Sequence, residues 1–389
     1  MISCIKIRSS ANPNRVRVVK HKKIILSFSV AVLMATLFLV AFLFSGASAI
    51  SLSANSQSDL CLDADKNFIF LDLEIGECEA NSGTNIDTKD TDYIKWIDLN
   101  ADYKSLVAVL NFCKEYYKNN NPQEFSEVLA FIATKNGNSF SSKTTAKYLN
   151  ELRAKLKEGT AITDIYSNNK YFNYYVKAYS AIFNGIIGEF TRLGSEKTEY
   201  GISGFFPLAQ GYHYNHYDDF GAKRGYGFSR KHLGHDFMGS TGTPIIAIEG
   251  GTITELGWNK YGGWRVGVRS HCSQRYYYYA HLRKDKPFAP DLKKGDTVFA
   301  GQVIGYLGNT GYSNKENTNL KTGNPHLHLG MQIIFHPAQE KGSKEIWLDL
   351  YALSKFLSSE KARTYKQDGH AQSKSIKQPV ERLVEPIKR

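Results

Sequence analysis

Cysteine is scarce in this chain. Five residues among 389, with no CxxC pair, are too few for a disulfide framework and wrongly spaced for a zinc ribbon. No segment repeats at a fixed period, so a repeat architecture is excluded. Lysine and arginine outnumber aspartate and glutamate by 49 to 37, for a net charge of +12. Yet there is no zinc knuckle, helix-turn-helix pattern or arginine-rich helix to direct that charge at nucleic acid, and no nucleic-acid partner is expected. The excess suits an anionic surface such as acidic polymers or phospholipid headgroups.

Acidic residues are absent from positions 1–23, where Lys20, Lys22 and Lys23 lead into an uncharged apolar run of 21 residues at 24–44. As a helix rising about 1.5 Å per residue, that run spans about 30 Å, the thickness of a bilayer core. The flanking lysines hold the N-terminus in the cytoplasm and place the remainder outside. Ala47, Ser48 and Ala49 then form an A-x-A cleavage pattern, so residues 24–49 read as a signal peptide or a membrane anchor, giving a released or an anchored form. Residues 50–92 are polar and irregular and read as an extracytoplasmic stalk. Of the four cysteines beyond the apolar run, Cys61 and Cys78 are the pair that an oxidising exterior would permit to bridge.

Residues 93–192 carry helical periodicity. Leu106, Val109, Leu110 and Cys113 mark one stripe; Pro122 opens a second with Val128, Leu129 and Ile132. Ser142 is placed to cap a third that stops at Gly159, and a fourth spans 170–190. Seven short β-branched runs follow, at 245–248, 252–256, 265–269, 275–281, 297–300, 303–307 and 326–334. Their glycine-rich turns point to a compact all-β barrel or sandwich. The expected class is α+β: a helical domain, a β domain over 193–357 with its core at 225–335, and a basic disordered tail from 358 to 389. Early in the β domain, 201–219 is rich in Gly, Tyr and His; His213, His216, Asp218 and Asp219 read as a substrate-lining or interface loop rather than as a second metal cluster.

Two short motifs carry chemistry. His232 and Asp236 are spaced His-x₃-Asp, and His326 and His328 form His-x-His about ninety residues on. Alternate residues of a strand share a face, so the latter pair points one way while Leu327 points into the opposite layer. Two imidazoles and a carboxylate suit Zn²⁺, and three protein ligands leave a fourth position for water, as in catalytic sites.

With GTPIIAIEGGTITELGW (242–258), YYYYAHL (276–282) and LKKGDTVFAGQVIGYLGNTG (292–311) around those motifs, residues 225–335 resemble the lysostaphin-like (LytM-type) zinc metalloendopeptidases. These have a duplicated-hybrid-motif β fold and cut peptide bonds in bacterial peptidoglycan. The resemblance implies that His232, Asp236 and His328 hold one zinc ion per chain and that His281 and His326 are the unliganded catalytic pair. It also gives Tyr226 a contact with the transition state. Tyr277, Tyr279 and His281 share a face if the strand is regular, and Tyr277 and Tyr279 then either form an aromatic wall for substrate or pack inward. Adjacent to Asp236, His235 leaves the strand on the opposite face and is expected behind the ligands or facing solvent. The expected partners are peptidoglycan, anionic wall polymers and, if residues 24–44 are retained, the membrane. A catalytically silent wall scaffold or activator of other hydrolases is the alternative, although none of the five site residues is missing. A lipoyl-carrier-like barrel would give the histidines no purpose.

Overall fold

Side-chain caps open three of the six α-helices among the described residues. Asp102 accepts the Ser105 amide at 2.7 Å to start α1 (Tyr103–Lys118), and α2 (Phe125–Asn136) ends on Gly137 in the left-handed conformation. A reciprocal capping box between Ser141 and Thr144 starts α3 (Ser142–Lys157), so the cap is Ser141, one residue before the expected Ser142. The short α4 (Ile162–Ile165) precedes α5 (Lys170–Phe183), capped by Asn169. The structure, a computed structural model, describes residues 93–225, 229–321 and 323–380. The expected N-terminal segment, stalk, Cys61 and Cys78, and Tyr226 lie outside those residues. No helix among the described residues is long and apolar enough to cross a membrane.

Helix α5, the run expected over 170–190, stops at Phe183, and the chain turns through Gly185 into β1 (Ile187–Arg192). Gly185 has φ +95°, and a Cβ there would lie 2.7 Å from Glu249 Oε2 and 2.8 Å from an Arg275 nitrogen. A left-handed turn pressed against a buried ion pair leaves room for glycine alone.

The strands that follow are β2 (Glu199–Ile202), β3 (Tyr214–His216), β4 (Lys223–Gly225), β5 (Ser229–Lys231), β6 (His235–Gly239), β7 (Pro244–Ile246), β8 (Gly251–Asn259), β9 (Gly263–Ser270), β10 (Arg275–Ala280), β11 (Thr297–Val298), β12 (Val303–Tyr306), β13 (His326–Ile333) and β14 (Ile346–Trp347). Helix α6 (Tyr351–Leu357) and strands β15 (Thr364–Gln367), β16 (His370–Ser373) and β17 (Lys377–Pro379) complete the chain. The main antiparallel sheet runs β11-β8-β9-β10-β13-β6-β3, with β14 beside β13, and β7 and β12 pair separately. All seven expected strand runs are strands, and this β-rich region follows a helical one, as the α+β reading required.

Two expectations change. The boundary near residue 192 is not a break in packing, because one buried cluster runs from Leu106, Leu129 and Ile182 through Ile253, Tyr277 and Leu329. Arg275, 1% exposed, pins the junction: it donates to the Glu249 carboxylate and to the Ala181 carbonyl at 2.7 Å. The tail is not disordered over 358–380. Strand β17 pairs with β1, and the buried ammonium of Lys377 donates to Ile202 O at 2.6 Å and to Glu360 at 2.9 Å. Its polar composition concealed the strands because their stability comes from backbone pairing and this one satisfied charge.

Candidate metal centre

The site is assembled by the pairing of β6 with β13. Asp236 lies opposite His328 and Met238 opposite His326, and residues directly opposed across two strands share a face. Leu327 and Leu329 point the other way and are fully buried, so the apolar face of β13 fixes the register that presents His326 and His328. His232 enters from the segment before β6. Between it and Asp236, Gly234 lies under the His328 ring: a Cβ there would fall 2.5 Å from Leu329 O and 2.8 Å from the ring. The His-x₃-Asp spacing therefore works here only with glycine in its middle.

Three ligand atoms converge. His232 Nε2 lies 2.8 Å from His328 Nδ1. Asp236 Oδ1 is 3.1 Å from the first and 3.2 Å from the second. Donors about 2.0–2.1 Å from a tetrahedral zinc ion sit about 3.3 Å apart, so the triangle fits such an ion. Among the described residues this is the one group of three or more His, Cys, Asp or Glu with ligand atoms so gathered. His213, an exposed residue, and His216 take no part in it.

Charge at the cluster is set by competing terms. Burial alone would raise the Asp236 carboxyl, but hydrogen bonds from His232 and His328 outweigh it and hold the group well below the usual range. Burial would lower His232, yet hydrogen bonds to Asp219 and Asp236 push it up to about 9. His328 is lowered, chiefly by burial. The carboxylates that draw a proton onto His232 also draw a cation; the two compete for the same lone pair, so metal affinity should rise with pH.

His281 and His326 stand next to the triangle, their rings 4.7 Å apart. His281 Nδ1 is 2.7 Å from Thr310 O and His326 Nδ1 is 2.9 Å from Asn324 O. Each carbonyl accepts an N–H, which leaves Nε2 unprotonated in the neutral ring. His326 Nε2 faces the cluster, 3.9 Å from Asp236 Oδ1. Burial, followed by the charges of His326 and His328, pushes His281 down to about 3, so it stays neutral at physiological pH.

The shared face of Tyr277, Tyr279 and His281 does not hold. Strand β10 ends at Ala280, and His281 adopts φ +60°, which returns its ring to the site while Tyr277 and Tyr279 remain fully buried in the core. The tyrosines near the histidines are Tyr278, its ring 5.9 Å from that of His328, and Tyr312, stacked on His281 at 5.7 Å. Arg230 donates to the Tyr312 hydroxyl and lies over Tyr261. Sequence reading missed Tyr312, because nothing in a Gly-Tyr turn signals which histidine it will meet.

His235 does leave β6 on the face opposite Asp236, but that face is interior: the residue is 0% exposed, so the solvent-facing alternative is overturned. Sequence reading also missed Arg224 and gave Asp219 only a loop role. One Arg224 nitrogen lies 2.6 Å from Asp219 Oδ2 and 2.9 Å from Asp236 Oδ2. Asp219 Oδ2 in turn lies 3.1 Å from His232 Nδ1.

Fold and donor set together give a candidate metal centre on a β-rich domain. Residues 230–341 match the family model described as Peptidase family M23. It is 35% identical over 161 residues to the L-Ala--D-Glu endopeptidase of Bacillus subtilis (strain 168), covering 41% of this chain and 47% of that protein. It is 38% identical over 116 residues to the glycyl-glycine endopeptidase ALE-1 of Staphylococcus capitis, covering 28% of each. The solved catalytic domain of the antimicrobial peptidase lysostaphin from Staphylococcus simulans is 31% identical; the match covers 36% of this chain and 92% of that one, with a TM-score of 0.29. The chain thus spans less than half the length of the two curated relatives.

Proposed function

We propose that the protein is a zinc-dependent endopeptidase that hydrolyses peptide bonds of bacterial peptidoglycan, in the stem peptide or the cross-link, outside the cytoplasmic membrane. The observation that carries this reading is the convergence of His232 Nε2, Asp236 Oδ1 and His328 Nδ1 beside two further histidines whose Nδ1 atoms face backbone carbonyls. His232, Asp236 and His328 would hold the zinc; when bound, it supplies Lewis acidity, activating water for attack and polarising the scissile carbonyl. His281 and His326 are the proton carriers. With Nδ1–H bonded to a backbone carbonyl, each offers Nε2 to take a proton from the attacking water or, once protonated, to pass one to the departing amine. Burial keeps His281 neutral and ready to accept. Arg230, Tyr312 and Tyr261 flank the pair as a wall that a carboxylate-bearing stem peptide could lie against.

In this reading the apolar segment at 24–44 carries the domain across the membrane, as anchor or as signal, and the positive charge favours anionic wall polymers. Digestion of purified wall fragments by the zinc-loaded protein should release new amino groups without new reducing sugar ends. Zinc-loaded protein that leaves the wall peptides intact would favour the scaffold role instead.

A further inference from the structure

Histidine is costly to bury, and His235 is fully buried on the apolar side of β6, paired with Leu329. An aliphatic side chain would fill that position without the desolvation cost of an imidazole. Both ring nitrogens instead have directed polar neighbours. At Nε2 stand the Leu350 amide and Asp349 Oδ1, each at 3.0 Å. At Nδ1 stand Tyr217 O and Asp219 Oδ1, each at 3.4 Å.

Two protonation patterns are compatible with these neighbours. In the neutral ring, the Leu350 N–H donates to Nε2, so the proton resides on Nδ1. In the cationic ring, Nε2–H donates to Asp349 and Nδ1 again carries a proton. Either way Nδ1 carries an N–H, which Tyr217 O accepts at 3.4 Å, and Asp219 Oδ1, a buried oxygen with no hydrogen bond of its own, lies at the same distance. The other oxygen of that carboxylate accepts from Arg224 at 2.6 Å and, beside the Asp219 backbone carbonyl and the same Arg224 nitrogen, stands 3.1 Å from His232 Nδ1. Asp219 thus lies between His235 and His232, with Arg224 donating to the oxygen that faces His232. A proton held on His232 Nδ1 leaves the Nε2 lone pair aimed at His328 Nδ1 and Asp236 Oδ1.

We propose that Asp219 is a positioning residue that fixes the tautomer and orientation of His232 as a metal ligand, and that His235 acts through it by orienting the Asp219 carboxylate from behind. The proposal rests on the reading of His232 as a ligand. Partners of this kind typically contribute about 10–100-fold in metal affinity.

The test is zinc affinity of the full chain by competition with a chromogenic chelator, with zinc content measured in parallel. Asp219→Asn should still bind one zinc per chain but about 10–100-fold more weakly. His235→Leu should weaken binding in the wild-type background and have no further effect in Asp219→Asn, because its influence passes through that carboxylate. His235→Asn, whose amide nitrogen stands near the Nδ1 position, should restore most of what His235→Leu loses; this comparison remains decisive if Asp219→Asn fails to fold. Wild-type affinity in Asp219→Asn, equal losses from His235→Leu in both backgrounds, or no rescue by His235→Asn would overturn the relay while leaving the ligand assignment standing. Full zinc content in His328→Ala would remove the ligand assignment itself, and the relay with it.

Discussion

The two faces of the β6–β13 pair carry the same kinds of residue to different ends. On one face the half-buried Asp236, His326 and His328 meet the buried His232 from the segment before β6, with nitrogen and oxygen lone pairs pointing at one another. On the other, His235 and His216 lie among Phe237, Leu327 and Leu329; the His216 ring stacks on Phe237 at 4.2 Å, and His235 meets a carboxylate or an amide at each nitrogen. The difference lies in what remains over once neighbours are counted. The first face has acceptors facing acceptors, an arrangement that a cation resolves. The second has its apolar area buried within the protein, and it contributes stability, register and, through His235, support for Asp219.

The largest expected effect comes from separating function from fold on the first face. His326→Ala should keep its zinc and its melting temperature but lose about 10²–10⁴-fold in rate, because a positioned acid or base is removed. Steady-state hydrolysis beside calorimetry decides it, and a parallel loss of stability would blur the two faces. The mirror experiment is Leu329→Ala. It should cost about 2–5 kcal/mol in urea unfolding, as buried Leu→Ala changes do, while the folded fraction keeps its zinc. Gly234→Ala links the faces, because its Cβ would strike both Leu329 O and the His328 ring. It should cost about 1–3 kcal/mol from overpacking and lower zinc content as well; unchanged zinc content would show that the ring can move without consequence.

The smallest effect is a slope with pH. Burial, then the charge of His235, pushes His216 down to about 4 from its ordinary 6.5. The unfolded chain takes that proton below about pH 6.5 and the folded chain refuses it until about pH 4, so this term lowers stability as the pH falls through that window. His216→Phe keeps the stack on Phe237 and removes the term. The variant should gain on wild type between pH 7 and pH 4.5 in urea unfolding, and parallel curves would contradict the assignment.

Much of this was legible in local pattern. The seven strand runs, the helical stripes through Leu106 and Leu129, and the two metal motifs follow from periodicity and from the two-residue repeat of a strand. What escaped was set by distant pairing or by a single dihedral. The positive φ of His281 reversed the parity that would have put Tyr277 and Tyr279 beside the substrate. Asp219 reaches His232 across thirteen positions of loop and hairpin with no motif to announce it. Placing His235 on the opposite face was sound geometry, but only the Leu329 pairing reveals that this face is interior. The tail looked disordered because Lys377 gives no hint in sequence of the carbonyl and the carboxylate that receive it.

The central claim is that His232, Asp236 and His328 form one zinc site that drives peptide hydrolysis. The most direct test measures zinc per chain and amino groups released from purified peptidoglycan, in wild type and in His328→Ala. The account predicts close to one zinc and clear release for wild type, and neither for the variant. A His328→Ala protein that keeps both its zinc and its activity would contradict it.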